Sequence, residues 1–159
     1  ALGDSSEDVR RAACQELGNI GDPQAVPALS VWAHAGENAA RNALQTLGHP
    51  ALDLPQAVAQ LAAQGAWEVL IRALPNEKVR ETVVGLGTSA LPALIQALGD
   101  NRGWSSKYVR EAAAEALGNI GDPQAIPALT KRLQDESEDV REAAQMAIQQ
   151  IQARQSGKT

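Results

Sequence analysis

A run of 21 residues, VREAAAEALGNIGDPQAIPAL from Val109 to Leu129, stands twice in this chain. Its other copy, VRRAACQELGNIGDPQAVPAL from Val9 to Leu29, is identical at 16 of the 21 positions. Looser copies of the Val-Arg start fall at Ala40-Arg41, Val79-Arg80 and Val140-Arg141, so successive starts lie 31, 39, 30 and 31 residues apart. A tandem unit of this length is one supersecondary motif stacked on itself, each copy lending its neighbour an interior. No stretch alternates apolar and polar residues with β-branched side chains, as a strand would. The repeat therefore predicts an all-α chain, an α-solenoid.

Within the unit the apolar positions have helical period. Val109, Ala113, Ala116, Leu117 and Ile120 share one side, and Tyr108, Glu111, Ala112, Glu115 and Asn119 lie mostly opposite. Gly121 suits the left-handed residue that closes a helix. Asp122 suits the cap of the next helix, with Pro123 at its first position. Ala125, Ile126, Ala128, Leu129 and Leu133 carry the second apolar stripe, and Pro127 falls in the first turns, where a missing amide hydrogen costs least. Each unit reads as two helices and a short turn.

Val-Arg followed by Ala-Ala, then Leu-Gly-Asn-Ile-Gly-Asp-Pro, then Ala-(Val/Ile)-Pro-Ala-Leu, resembles the HEAT repeat, in particular the HEAT-like class named after phycobilisome lyases. The match covers 5–29 and 105–153 strongly, 66–98 fairly and 31–65 poorly. The resemblance implies a right-handed superhelix, with the Val-Arg helices on the concave side and the Ala-Ile-Pro-Ala-Leu helices on the convex side. It also implies scaffolds, partner-binding regions or bilin lyase subunits as roles. Di-iron hydroxylases share this type of repeat, but the chain has no His-Glu dipeptide, which argues against them.

Along the chain, 1–153 reads as an array of about five units. An additional helix over 54–64 accounts for the 39-residue step, and a polar tail follows at 154–159. Ala1-Leu2-Gly3-Asp4 repeats Ala97-Leu98-Gly99-Asp100, the end of a convex helix. The expectation is a fragment of a longer protein, whose uncapped first repeat invites self-association. The net charge of -5 argues against a nucleic-acid backbone as main partner. No segment reaches the ~20 apolar residues of a membrane span. With one cysteine, Cys14, no internal disulfide is available, which points to a reducing, cytoplasmic setting.

Chemistry-bearing residues are few. Arg10, Arg80, Arg110 and Arg141 recur with the repeat, so we read them as a structural ladder to carboxylates or helix-end carbonyls, not as an anion site. Asp22 and Asp122 are cap residues. Trp32 and Trp67 read as packing residues. Cys14 reads as a small core residue in the place of Ala114. His34 and His49 have no second ligand at metal spacing. Glu136, Glu138, Asp139 and Glu142 read as a solvated loop and helix start. No nucleophile, oxyanion donor or phosphate cradle is recognisable. The expectation is therefore no catalytic residue, no cofactor and no metal.

The expected function is a non-catalytic scaffold that binds another protein on its concave helices. Lys107, Tyr108, Glu111, Glu115, Asn119 and Trp104 in the clearest copy, with Arg11, Gln15 and Asn19 in the first, form that surface. Most of them vary between copies while the core positions repeat: Arg11 stands against Glu111 and Gln15 against Glu115, whereas Asn19 matches Asn119. The alternatives are a bilin lyase-like, chromophore-handling subunit and an architectural or regulatory segment of a larger enzyme or sensor.

Overall fold

The computed structural model describes residues 7–102 and 106–157. Among them every regular element is a helix: α1 (Glu7–Ile20), α2 (Val26–His34), α3 (Asn38–Thr46), α4 (Leu54–Ala63), α5 (Trp67–Ala73), α6 (Glu77–Val84), α7 (Leu91–Ala97), α8 (Ser106–Ile120), α9 (Ile126–Arg132) and α10 (Glu138–Ser156). The chain is all-helical, of the α-solenoid class, as its repeats predict. It divides into two compact units, Ala1–Thr82 and Val83–Thr159. In the first, α1 packs on α3, α2 on α3 and α4, and α4 on α5. In the second, α7 packs on α8, and α8 and α9 pack on α10.

The turn between the two helices of a repeat follows from its residues. Gly21 and Gly121 take φ of 79° and 78°, the left-handed conformation that glycine adopts without strain. Asp22 and Asp122 each accept a hydrogen bond on Oδ1 from the amide two residues on, Gln24 and Gln124, at 2.9 Å. The next helix then begins in two steps. Pro23–Ala25 and Pro123–Ala125 form single 3-10 turns, and the α-helices start at Val26 and Ile126. A proline four residues after the first cannot donate to its carbonyl. That carbonyl is taken instead by the Val26 or Ile126 amide, one residue earlier.

Helix α4 is the insertion behind the 39-residue step. Asp53 caps it, accepting from the Gln56 amide at 2.9 Å. Leu54, Ala57, Val58 and Leu61 are buried, at the i, i+3, i+4, i+7 spacing of one helical face, and that face lies on α2.

The polar tail expected at 154–159 is helical through Ser156, where α10 ends, and Arg154 Nη1 donates to the Asn119 carbonyl at 2.7 Å. The first glycine of Leu-Gly-Asn-Ile-Gly is a packing residue that the sequence reading did not single out. Gly18 and Gly118 sit inside α1 and α8, where the next Val-Arg helix comes closest. A methyl group at Gly118 would lie 2.8 Å from Ala147 Cα, and one at Gly18 would lie 3.0 Å from Ala43 Cα. The same sequence also meets two environments: Val109 is 1% exposed under its neighbours, whereas Val9 on α1 is 41% exposed.

Candidate functional site: the groove between α1 and α3

The arginines of the Val-Arg starts serve the fold. Arg41 Nη2 donates to Ala33 O at 2.9 Å and Arg80 Nη1 to Leu74 O at 3.2 Å. Arg110 Nη1 donates to Asp100 O at 2.8 Å and Arg141 Nη1 to Asp135 O at 2.7 Å. In each case the acceptor is a carbonyl at or just past the end of the preceding helix, where carbonyls run short of intrahelical partners; the Ala33 carbonyl also takes the Gly36 amide, at 3.2 Å. Arg110 does more. Its Nε and Nη2 grip Asp135 Oδ2 and Oδ1 at 2.9 and 2.8 Å, a two-pronged buried pair. Burial alone would lower Arg110 and raise Asp135. Their mutual hydrogen bonds and charges, with the Ser137 amide on the carboxylate, outweigh it, so Arg110 lies above its ordinary value and Asp135 below.

Arg10 is placed differently. Its guanidinium stands over the Trp32 ring, 4.7 Å from the centroid. Both residues line a groove of about 740 Å³ between α1 and α3. Gln15, Glu16 and Asn19 come from α1, Asn38 and Asn42 from α3, and Glu37 from the turn between α2 and α3. The lining is mostly polar. Glu7 is spoken for by Arg11, at 2.7 Å, and Asp8 also meets Arg11, at 3.4 Å.

Of the expected binding residues, Arg11, Gln15 and Asn19 all line this groove. Lys107, Tyr108, Glu111, Glu115 and Asn119 lie on α8, in the other unit. There Tyr108 is 50% exposed, with Lys107 Nζ 4.8 Å from its ring centroid. Lys107 also reaches Asp139 at 4.0 Å. Trp104 lies outside the described residues. Sequence reasoning missed Trp32, Glu37, Asn38 and Asn42. The signal was present: Asn38, Asn42 and Thr46 make a polar stripe at i, i+4, i+8, opposite the buried Ala39, Ala40, Ala43 and Leu44.

The donor set does not suit an iron site. His34 Nε2 lies 2.9 Å from the Leu52 carbonyl and holds the α3–α4 connection. Among the described residues no group of three or more His, Cys, Asp or Glu side chains converges as a metal would need. Cys14 is fully buried, and burial, with the Glu37 charge, pushes its thiol up to about 11 against the opposing charge of Arg10. A thiol so protonated is a poor nucleophile. We expect Cys14 to react with a chromogenic disulfide reagent at pH 8 only as fast as the chain opens, with the rate rising steeply through the urea transition. Prompt reaction of the native chain would contradict this.

The HEAT repeats profile matches residues 1–66 and 68–149. The chain belongs to the HEAT repeat family. It is 43% identical over 67 residues to deoxyhypusine hydroxylase of Cryptococcus neoformans var. neoformans serotype D (strain B-3501A), covering 42% of this chain and 19% of that protein. It is 36% identical over 64 residues to deoxyhypusine hydroxylase of Gallus gallus, covering 40% of this chain and 21% of that one. A structure of human deoxyhypusine hydroxylase in complex with glycerol is similar at a TM-score of 0.45 and 22% identity, over 93% of this chain and 69% of that chain. The chain spans about a fifth of the length of the two curated relatives.

These findings correct the functional expectation. The relatives are enzymes, and they are hydroxylases, not phycobilisome lyases. The non-catalytic scaffold, the bilin-handling subunit and the purely architectural segment all give way to that result. The error has a physical origin. The motif residues that carry the resemblance are cap, turn and core residues, which any activity on this fold needs alike. Among the described residues no helix is long and apolar enough to cross a membrane.

Proposed function

We propose that this chain is a HEAT-repeat segment of an enzyme of the deoxyhypusine hydroxylase kind, and that its α1–α3 groove holds the substrate. The observation that carries the reading is the 43% identity over 67 residues to the Cryptococcus neoformans enzyme. Deoxyhypusine is a lysine-derived amino acid bearing amino groups, cationic at neutral pH. A groove for it needs carboxylates at the wall and an amide-rich lining for the peptide that bears it. Glu16 and Glu37 supply the first, and Gln15, Asn19, Asn38 and Asn42 the second. A cytoplasmic setting belongs to the same reading.

The test compares two peptides that differ only in carrying deoxyhypusine or lysine, by fluorescence anisotropy with the full chain. The extra amine is expected to tighten binding roughly two- to fivefold, the worth of a solvent-screened ion pair. Glu37→Gln with Glu16→Gln is expected to abolish the preference. Equal affinities for the two peptides with the native chain would overturn the reading.

A further inference from the structure

Helices α1 and α8 carry nearly the same residues in opposite surroundings. On α8 the stripe Val109, Ala112, Ala113 and Ala116 is buried, and α7 packs on that helix. On α1 the matching Val9 is 41% exposed, Ala12 is exposed and Ala13 is half-buried. Ile20, further along the same stripe, is 70% exposed. The two 21-residue copies differ at five positions, and one of the five falls inside this stripe. Glu16 stands where α8 has the fully buried Ala116. We propose that the Val9–Ile20 stripe of α1 is a contact surface for the α1 of a second copy, and that the two facing Glu16 carboxylates hold it open in the native chain.

Three observations select a second copy's α1 as the occupant. The first is spacing. Val9, Ala13, Glu16 and Ile20 follow one another at four, three and four residues, the rhythm of a helix–helix seam. A two-fold axis passing between Cys14 and Gln15 sets Val9 of one copy against Ile20 of the other at both ends. The alanines between them let the helices approach. The second is supply. Val9 and Ile20 share one helix face, whereas the other exposed large apolar residues, Tyr108, Leu133 and Met146, stand singly on α8, just past α9 and on α10. Among the described residues, the match that a second copy offers to α1 is therefore α1 itself. The third is charge. In this arrangement Glu16 lies opposite Ala13 of the other copy, so the two Glu16 residues are about 4.5 Å apart along the helix axis. Like charges brought together while water leaves oppose the contact. Ala116 shows the same position without that obstacle, and there a neighbouring helix closes the stripe.

Sedimentation equilibrium of the full chain over a range of concentrations measures the contact. Glu16→Ala gives α1 the residue of α8 and is expected to tighten self-association at least about tenfold. Val9→Asp in the same variant is expected to reverse that gain. Glu16 also lines the α1–α3 groove, so Glu37→Ala serves as the control. It removes the other groove carboxylate named above and is expected to leave association unchanged. Charge exchange gives an independent reading. Glu16→Lys alone is expected to stay apart, since two lysines repel as two glutamates do. An equal mixture of Glu16→Lys and native chain is expected to pair on the order of tenfold more tightly than either alone. Four results would each overturn the inference: Glu16→Ala no more associated than the native chain, association that survives Val9→Asp, an equal gain from Glu37→Ala, or a mixture no tighter than its components.

Discussion

Asp135→Asn is expected to destabilise the second unit by about 3 kcal/mol, read as a fall in the urea midpoint, because it removes the buried counter-charge of a buried guanidinium and leaves only the exposed Glu136, at 3.3 Å. The side chains of Arg110 and Asp135 are 4% and 3% exposed, so water cannot take the missing partner's place. Asp135 ties three elements together. Its carboxylate takes Arg110 from α8, the Ser137 amide at 3.0 Å and Arg132 of α9 at 3.4 Å, while its carbonyl takes Arg141 of α10. Arg110→Met alone strands the carboxylate and is expected to cost a similar amount. Arg110→Met with Asp135→Leu is expected to recover most of the loss, since a buried pair replaced by apolar groups is often close to neutral. A loss under about 1 kcal/mol for either single change would show that the pair is dispensable.

The same pair sets a pH dependence. Asp135 titrates below its ordinary value in the folded chain and near about 3.9 in the unfolded one. Its contribution is therefore complete above the unfolded value and disappears as pH falls through it towards the folded value. Arg110 is raised from a value already above about 12 and stays charged throughout, so the pair gives no alkaline arm in the working range. Acid unfolding of the native chain followed by circular dichroism is expected to be steeper than that of the double apolar variant. Identical acid profiles would count against the assignment.

How much of this was legible beforehand depended on whether a residue acts within its own repeat or across to another. Gly121, Asp122 and Pro123 act on neighbours in sequence, and turn and cap fell where those residues place them, although Pro123 opens a 3-10 turn and the α-helix starts only at Ile126. The extra helix α4 was equally legible, since its apolar spacing is local. The arginine ladder was legible in kind, because a residue that recurs with the fold serves the fold. Its acceptors were not, since Arg110 meets Asp135 25 residues on. The groove was half legible. Gln15 and Asn19 lie on an exposed helical face, but Trp32 reads as packing until Arg10 is seen above it. The likeness to hydroxylases was not legible from the motif, whose residues record how helices stack.

Gly118 illustrates the cost of reading a repeat residue only locally. By propensity, Gly118→Ala in the body of α8 is expected to stabilise by about 1 kcal/mol. The packing says the opposite. The new methyl would lie 2.8 Å from Ala147 Cα and 2.9 Å from its Cβ, closer than folded chains tolerate, and the obstacle is the backbone of α10. Either α10 moves off α8 or α8 rotates, and both disturb the packing around Leu117, Ala144 and Ile151, which are fully buried. Overpacking of this kind costs about 1–3 kcal/mol, so the net change is a loss for Gly118→Ala and a larger one, about 3 kcal/mol, for Gly118→Leu. Gly18→Ala provides the comparison within the same chain. Its methyl would meet Ala43 at 3.0 and 3.1 Å, a gap that a shift of a few tenths of an ångström relieves, so propensity and crowding nearly cancel there. Urea midpoints of the variants decide the matter: a rise for Gly118→Ala would mean that helix propensity outweighs the contact and that glycine at this position was not selected for close approach.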